Sequence, residues 1–265
     1  MKALLLENIS KQAKELLEQH NIQVDYHNGS QDLKKLNNID TYDIIGIRSK
    51  TILDKSTIDL ATNLKVIGSF CIGTDKVDLD HCQKKGIAVF NSPVMSTRSV
   101  AELVIAHIIN LSRKVTKRNY EMHLGIWNKT CTNSNEIRGK TIGIIGYGHV
   151  GSQVSVLAEA MGLNVLFYDT INVMALGNSI RCQSMEEVLR GSDFVTIHVP
   201  LTVDTENLID RQSINMMKKG SYLLNLSRGK VVDLQALRES IDNDHLGGCA
   251  LDVYPSEPKA NCDNW

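Results

Sequence analysis

Proline, paired cysteine, excess charge and long apolar runs are what this sequence has little of. Its 265 residues include 4 prolines, and 29 basic residues stand against 30 acidic ones. A formal net charge of -1 leaves no basic excess to recruit nucleic acid or an anionic membrane. The six cysteines (Cys71, Cys82, Cys131, Cys182, Cys249 and Cys262) contain no CxxC pair and are spread thinly. That excludes a disulfide scaffold and a zinc site, and matches reduced, cytosolic usage. Cys71, beside a glycine turn, is read as a small buried thiol rather than a ligand contact. No stretch approaches the ~20 apolar residues that span a bilayer. The opening MKALLLENIS has four apolar residues in a row before Glu7, too few for a secretory signal. A soluble, cytoplasmic protein is expected, with no metal. Neither low-complexity segments nor short-period repeats occur.

What is present is an ordinary globular composition, 42% hydrophobic and 22% charged. The length exceeds the roughly 100 to 200 residues of one domain, so two are expected, over residues 1–95 and 96–265. Short β-rich runs alternate with helical patterns through both halves, the signature of parallel sheet. The first set is KALLLEN (2–8), IQVDYH (22–27), YDIIGIRS (42–49), LKVIGSF (64–70) and IAVFN (87–91). The second begins with KTIGIIGYGHVG (140–151) and continues with NVLFYD (164–169), DFVTIHVP (193–200), SYLLNLSRG (221–229) and GCALDVY (248–254). The expected fold class is α/β, two doubly wound, Rossmann-like parallel-sheet domains, the first of them flavodoxin-like.

Helical spacing in SKQAKELLEQH places Ala13, Leu16 and Leu17 on one face. STRSVAELVIAHIINLSRKVTKRNY predicts one long helix, with Ser96 and Thr97 as cap candidates. It is almost wholly apolar from Val100 to Leu111, so burial on every side is expected, with partners for Glu102 and His107.

In TIGIIGYGHVG, Gly146, Gly148 and Gly151 form G-x-G-x-x-G directly after an apolar strand and before a helical run. The first glycine permits a tight turn, the second lets backbone approach a pyrophosphate, and the third allows close helix–strand contact. Eighteen residues beyond Gly151, Asp169 ends the next strand, where a carboxylate accepts the ribose hydroxyls of adenosine and repels the 2′-phosphate of NADP. NAD is the expected cofactor. His149 is read as a backbone contributor beside the pyrophosphate. The bare glycine pattern is weak, and strand, helix and acid at the right distances make this instance specific.

Ligands of open α/β sheets bind beyond the carboxyl ends of strands. Arg228 follows a strand in NLSRG, Asp252 and Glu257 follow one in ALDVYPSEP, and Arg48 and Lys50 follow one in GIRSK. Singly, each has a plainer explanation: a solvated charge, a loop residue between prolines, a turn cap. Their shared placement at strand ends favours a site.

Several separated stretches resemble the D-isomer-specific 2-hydroxyacid dehydrogenases, and within them the bacterial-type D-3-phosphoglycerate dehydrogenases. They are IGSFCIGTDKVDLDHCQKKGIAVFNSPVMSTRSVAELVIAHIINLSR, LGIWNKT, RGKTIGIIGYGHVGSQVSVLAEAMGLNVLFYD, DFVTIHVPLTVDTENLI, MKKGSYLLNLSRGKVVD and GCALDVYPSEP, covering nearly the whole chain. The resemblance implies a substrate domain followed by an NAD domain, with the reaction held between them. It places His149 and Val150 at the pyrophosphate and Asp169 at the ribose, with Leu226, Ser227, Arg228 and Asp252 at the nicotinamide end. Arg228 would also bind the substrate carboxylate, supported by Ile72 and Gly73, while Arg48 and Lys50 attract the 3-phosphate. An anionic substrate needs fixed cations, and arginine suits a carboxylate fork better than lysine does. The resemblance further implies a homodimer or higher homo-oligomer.

The implied reaction moves a hydride from C2 of 3-phosphoglycerate to NAD while a base takes the hydroxyl proton. In the resembled enzymes that base is a histidine paired with the glutamate at the position of Glu257, some two dozen residues beyond it. The sequence ends at Trp265, so the expectation is a chain truncated before that histidine; His81, His107, His198 and His245 are not suited to replace it. Three readings stay open. One is a phosphoglycerate dehydrogenase whose base lies further on. Another is an inactive NAD-binding or redox-sensing module, and the third a dehydrogenase of another D-2-hydroxy acid.

Overall fold

Runs such as KALL, IIGI and VIGS are short and apolar on both faces, so they become strands of a sheet covered on both sides. The computed structural model describes residues 1–257, and the chain divides into two compact units, Met1–Ser96 and Thr97–Trp265. Cys262 lies outside the described residues. The first unit holds β1 (Lys2–Leu5), α1 (Lys11–Gln19), β2 (Gln23–Tyr26), β3 (Ile44–Ile47), α2 (Lys55–Leu60), β4 (Val66–Ser69), α3 (Leu79–Lys85) and β5 (Ala88–Asn91). Its strands are all parallel, in the order β2-β1-β3-β4-β5. This is the flavodoxin-like order, with its switch point between β1 and β3.

Leu4, Leu6, Ile45, Ile47, Ile58 and Ile67 anchor the core of this unit. Gly46 and Gly68 are register partners, and the ring of Phe70 lies over both of them. A Cβ at Gly68 would stand 3.0 Å from Phe70 Cε2, so the bare sheet is what receives the ring and holds the chain after β4 down. The expected face of α1 is only partly realised. The helix packs on β2 at the sheet edge, where Leu16 stays 56% exposed and no residue of α1 is fully buried.

The second unit comprises α4 (Thr97–Arg113), α5 (Val115–His123), β6 (Thr141–Ile145), α6 (His149–Ala160), β7 (Asn164–Tyr168), β8 (Ile180–Arg181), α7 (Met185–Gly191), β9 (Phe194–Ile197), α8 (Arg211–Met216), β10 (Tyr222–Asn225), α9 (Leu234–Asp242) and β11 (Gly248–Leu251). Its parallel sheet runs β11-β10-β9-β6-β7-β8. Counted within the unit this is the 3-2-1-4-5-6 order of dinucleotide-binding sheets, with the switch point between β6 and β9. One core cluster joins α4 and α6 to the sheet through Val104, Ile108, Ile144, Val154 and Phe167. Another joins α7, α8 and α9 through Val188, Ile214, Leu223 and Leu237. The expected fold class therefore holds in both units. No helix among the described residues is long and apolar enough to cross a membrane.

Two expectations are corrected. The single long helix breaks at Lys114, which adopts the left-handed conformation with φ 56°. Asn110 Oδ1 accepts the amide and hydroxyl of Thr116 at 2.8 and 2.9 Å, starting α5, while Ser112 Oγ bonds back to the Ile108 carbonyl at 2.7 Å. Nor is α4 buried on every side. Ala101, Val104, Ile105, Ile108 and Ser112 form one buried stripe. Leu103 is 37% exposed, and Glu102 pairs with Arg98 of the same helix at 2.6 Å. The Thr97 hydroxyl is buried without a hydrogen-bond partner among the described residues.

Gly143, in the middle of β6, is closely covered by α7 and the residue after it: a Cβ there would collide with Ser192 Oγ and stand 2.5 Å from Val188 Cγ1. Gly143→Ala is expected to cost about 1–3 kcal/mol through overpacking, read as a lower urea midpoint at unchanged m-value.

Candidate functional site

The glycine fingerprint sits where β6 ends, at the switch point of the second sheet. Gly146 has φ +90°, and a Cβ on it would stand 2.7 Å from the carbonyl oxygen of His198, just past β9. Gly151 has its α-carbon against the Gly146 carbonyl, where a Cβ would collide. Gly148 is the N-cap of α6 and supplies no side-chain cap; nothing lies within 4 Å of its Cβ position. Among the described residues, the first amides of this 12-residue helix thus have no side-chain cap, and the space beside Gly148 is open. This cradle fits a pyrophosphate, which would meet backbone N–H groups and the positive end of the helix dipole. His149 and Val150 are the first residues of α6, and the His149 side chain is exposed.

Asp169, one residue beyond β7, is tied directly to the turn. Its Oδ2 accepts the Tyr147 amide at 2.7 Å and its Oδ1 the Ile171 amide at 3.1 Å. Tyr147 fixes the other side of the turn. Its ring is 3% exposed and stacks on Phe167 at 3.8 Å, and its hydroxyl reaches Ser155 at 2.8 Å and Ser179 at 3.0 Å. Sequence reasoning passed over Tyr147; a large aromatic between two glycines of a turn was the available signal.

His198 follows β9 at the same switch point, with Nε2 3.0 Å from Thr196 Oγ1. Burial pushes its pKa down to about 4, so the imidazole is neutral at physiological pH. Because this lies below the ordinary 6.5, the unfolded chain binds the extra proton first. Stability from this group is whole above pH 6.5 and is lost as pH falls toward 4. His198→Gln is expected to flatten that part of the stability–pH curve, measured by urea denaturation. In the parent protein the His198 ring resonances should not titrate above about pH 5.

The turn after β10 is shaped by Asn225, which is fully buried. Asn225 Oδ1 accepts the Ser227 amide at 3.1 Å and its hydroxyl at 2.9 Å, and Nδ2 donates to the Arg228 carbonyl at 2.9 Å. Arg228 Nη1 donates to the Ser227 carbonyl at 2.8 Å. Leu226 is buried, at 7% exposure, and packs into the α4–α6 core, so its side chain is turned away from the strand-end surface and only its backbone is available to a ligand there. Asp252, just past β11, has its amide bonded to the Asn225 carbonyl at 3.1 Å. Glu257 Oε1 accepts the Tyr254 amide at 3.2 Å. Gly229 lets the Tyr254–Pro255 peptide rest directly on it, where any Cβ would collide. The structure therefore brings the Arg228 turn and the segment carrying Asp252 and Glu257 together.

In the first unit, Arg48 and Lys50 follow β3 at the switch point, both with exposed side chains. Their segment is held by Glu7, which sequence reasoning also missed although it follows β1 at the same switch point. Glu7 is 7% exposed with φ 61°. Its Oε2 accepts the Lys50 amide at 2.9 Å, its Oε1 the Thr51 amide at 2.6 Å, and its carbonyl Arg48 Nη1 at 3.4 Å. Cys71, half-buried rather than fully buried, has its sulfur 3.4 Å from the Arg48 carbonyl and 3.2 Å from that of Gly73. The carbonyl of Ile72 accepts from Asn91 at 2.8 Å and that of Gly73 from Ser69 at 3.0 Å, which fixes the loop after β4.

Burial works to raise the Glu7 pKa, but hydrogen bonds from Thr51 and from the Lys50 and Arg48 backbone outweigh it, so the carboxyl lies below its ordinary 4.5. Its contribution to stability is present above that value and is lost as pH falls through the lower folded one. Glu7→Gln should cost about 1–3 kcal/mol at neutral pH, a deficit that shrinks on acidification below the ordinary carboxyl range, checked by urea midpoints across pH.

One doubly wound sheet in dinucleotide-binding order, with an uncapped glycine turn and an acid ending the next strand, defines a dinucleotide-binding α/β protein. Residues 105–265 match the family model described as D-isomer specific 2-hydroxyacid dehydrogenase, NAD binding domain. The chain belongs to the D-isomer specific 2-hydroxyacid dehydrogenase family, and NAD is its cofactor. It is 52% identical, over 100% of its own length and 65% of the relative's, to the D-3-phosphoglycerate dehydrogenase of Dictyostelium discoideum. It is 50% identical, over 98% of its own length and 56% of the relative's, to D-3-phosphoglycerate dehydrogenase 1 of Saccharomyces cerevisiae. The chain thus spans less than two thirds of these relatives. Among solved structures, D-lactate dehydrogenase from Aquifex aeolicus, complexed with NAD and lactic acid, superposes with a TM-score of 0.86 at 29% identity, over 96% of this chain and 77% of that one.

Proposed function

We propose that this chain acts in the NAD-dependent oxidation of D-3-phosphoglycerate to 3-phosphohydroxypyruvate, the first step of phosphorylated L-serine biosynthesis. The observation that carries this reading is a pair of cations, Arg48 and Lys50, on a Glu7-braced segment at a sheet switch point. The whole-chain likeness to D-3-phosphoglycerate dehydrogenases supports it. NAD, when bound, supplies the hydride acceptor. The residues from Gly146 to Gly151, with the His149 and Val150 amides, hold its pyrophosphate, and Asp169 takes the ribose hydroxyls and disfavours a 2′-phosphate. Leu226, Ser227, Arg228 and Asp252 serve the nicotinamide end.

On the substrate side, Arg228 binds the carboxylate and polarises C2, Ile72 and Gly73 amides support that carboxylate, and Arg48 and Lys50 take the 3-phosphate. Residues 1–95 act as the substrate domain and 96–265 as the NAD domain. Glu257 orients the base that receives the hydroxyl proton. That base is assigned to none of the engaged histidines: His198 is neutral beside Thr196, His245 Nε2 lies 3.1 Å from the Ile214 carbonyl, and His81 pairs with Asp59 at 2.9 Å. The protein works in the cytoplasm, in keeping with the free thiols of Cys71, Cys82, Cys131, Cys182 and Cys249. It pairs as a homodimer or higher homo-oligomer through the region from Val100 onward, where Leu103, Tyr120, Met122 and Trp127 are exposed apolar side chains, the last of them at 76%.

Calorimetric titration of the NADH-loaded protein tests the substrate assignment. D-3-phosphoglycerate should bind, Arg48→Ala should weaken it by about 10- to 100-fold, and D-lactate should bind poorly to both. Equal affinity of the parent protein for D-lactate would replace the phosphorylated substrate with a plain 2-hydroxy acid.

A further inference from the structure

The turn after β7 carries a cation as well as an acid. Arg181 lies on the two-residue edge strand β8, opposite Phe167 in register. Its side chain reaches the residues that follow β7. Nη1 donates to Asn172 Oδ1 at 2.5 Å, and Nη2 to the Ile171 carbonyl at 3.2 Å and, more weakly, to the Asp169 carbonyl at 3.5 Å. The Asp169 carboxylate takes the amides of Tyr147 and Ile171 instead. A guanidinium thus sits within one turn of the carboxylate assigned to the ribose, yet its donors go to uncharged oxygens of that turn.

This arrangement has two effects. Fixing Ile171 and Asn172 fixes the amide that Asp169 Oδ1 accepts, so the carboxylate orientation depends on the clamp. An arginine near this strand end is also the group that a 2′-phosphate would seek. Here three of its five N–H donors are directed to the turn.

We propose that Arg181 is a positioning residue for cofactor discrimination: by clamping the turn from Asp169 to Asn172, it holds the Asp169 carboxylate in the orientation that accepts ribose hydroxyls and directs its own Nη1 and Nη2 donors to the turn rather than to a 2′-phosphate. The proposal rests on the assignment of Asp169 to the adenosine ribose.

The test compares NADH and NADPH dissociation constants, by fluorescence titration, for the parent protein, Arg181→Gln, Asp169→Ala and the double variant. Arg181→Gln should weaken NADH about tenfold and NADPH far less, narrowing the preference, and should add nothing to the NADH loss once Asp169 is gone. An unchanged NADH-to-NADPH ratio in Arg181→Gln overturns the proposal. So does a full loss that persists in the Asp169→Ala background, because that marks general loosening of the fold. If Arg181→Gln does not fold, Asn172→Ala decides. It removes only the Nη1 acceptor and should narrow the ratio in the same direction, and an unchanged ratio rejects the clamp. Failure of the parent protein to prefer NADH defeats the ribose assignment itself, a result distinct from a parent preference that Arg181→Gln leaves intact.

Discussion

A carbonyl oxygen occupies the place where the side chain of residue 151 would begin. Because Gly151 meets the Gly146 oxygen with only a hydrogen between them, α6 leaves β6 at close range, and the intervening turn has almost no freedom. The form of the glycine turn follows from that contact. The Tyr147 peptide is aimed at Asp169, its ring is driven inward onto Phe167, and Gly148 is left at the surface with the helix start uncovered. Steric exclusion at one backbone position thus accompanies both an uncapped helix start and an amide turned toward the Asp169 carboxylate.

The first unit solves a similar problem with charge. Two neighbouring cations on an exposed segment repel one another, which a brace on the segment's backbone offsets. Glu7 provides it from the end of the adjacent strand. It offers both carboxylate oxygens to main-chain amides and its carbonyl to Arg48, in a left-handed conformation that is uncommon for a residue with a side chain. Buried negative charge is tolerated there because hydrogen bonds outweigh the lost hydration.

Much of this was legible in the residues because periodicity and glycine spacing are local signals. Every strand run marked in the sequence, from KALLLEN to GCALDVY, contains a strand of the structure, and the spacing of Gly146, Gly148, Gly151 and Asp169 leads directly to the dinucleotide turn. What escaped depends on contacts distant in sequence or on very short elements. β8 has only two residues, Ile180 and Arg181, and its pairing comes entirely from β7. The break at Lys114 is decided by Asn110 reaching forward to Thr116, which an apolar pattern does not display. Glu7 acts across more than forty residues of chain, and Asn225 acts from full burial, so neither looks different from an ordinary polar residue until the fold supplies its partners.

The peptide between Tyr254 and Pro255 rests on Gly229 with no side chain to cushion it. The loops that carry Arg228 and Glu257 therefore meet backbone to backbone. Because nothing intervenes, neither loop can move closer to the other, so the spacing between a carboxylate and a guanidinium on different strand ends has a fixed lower bound.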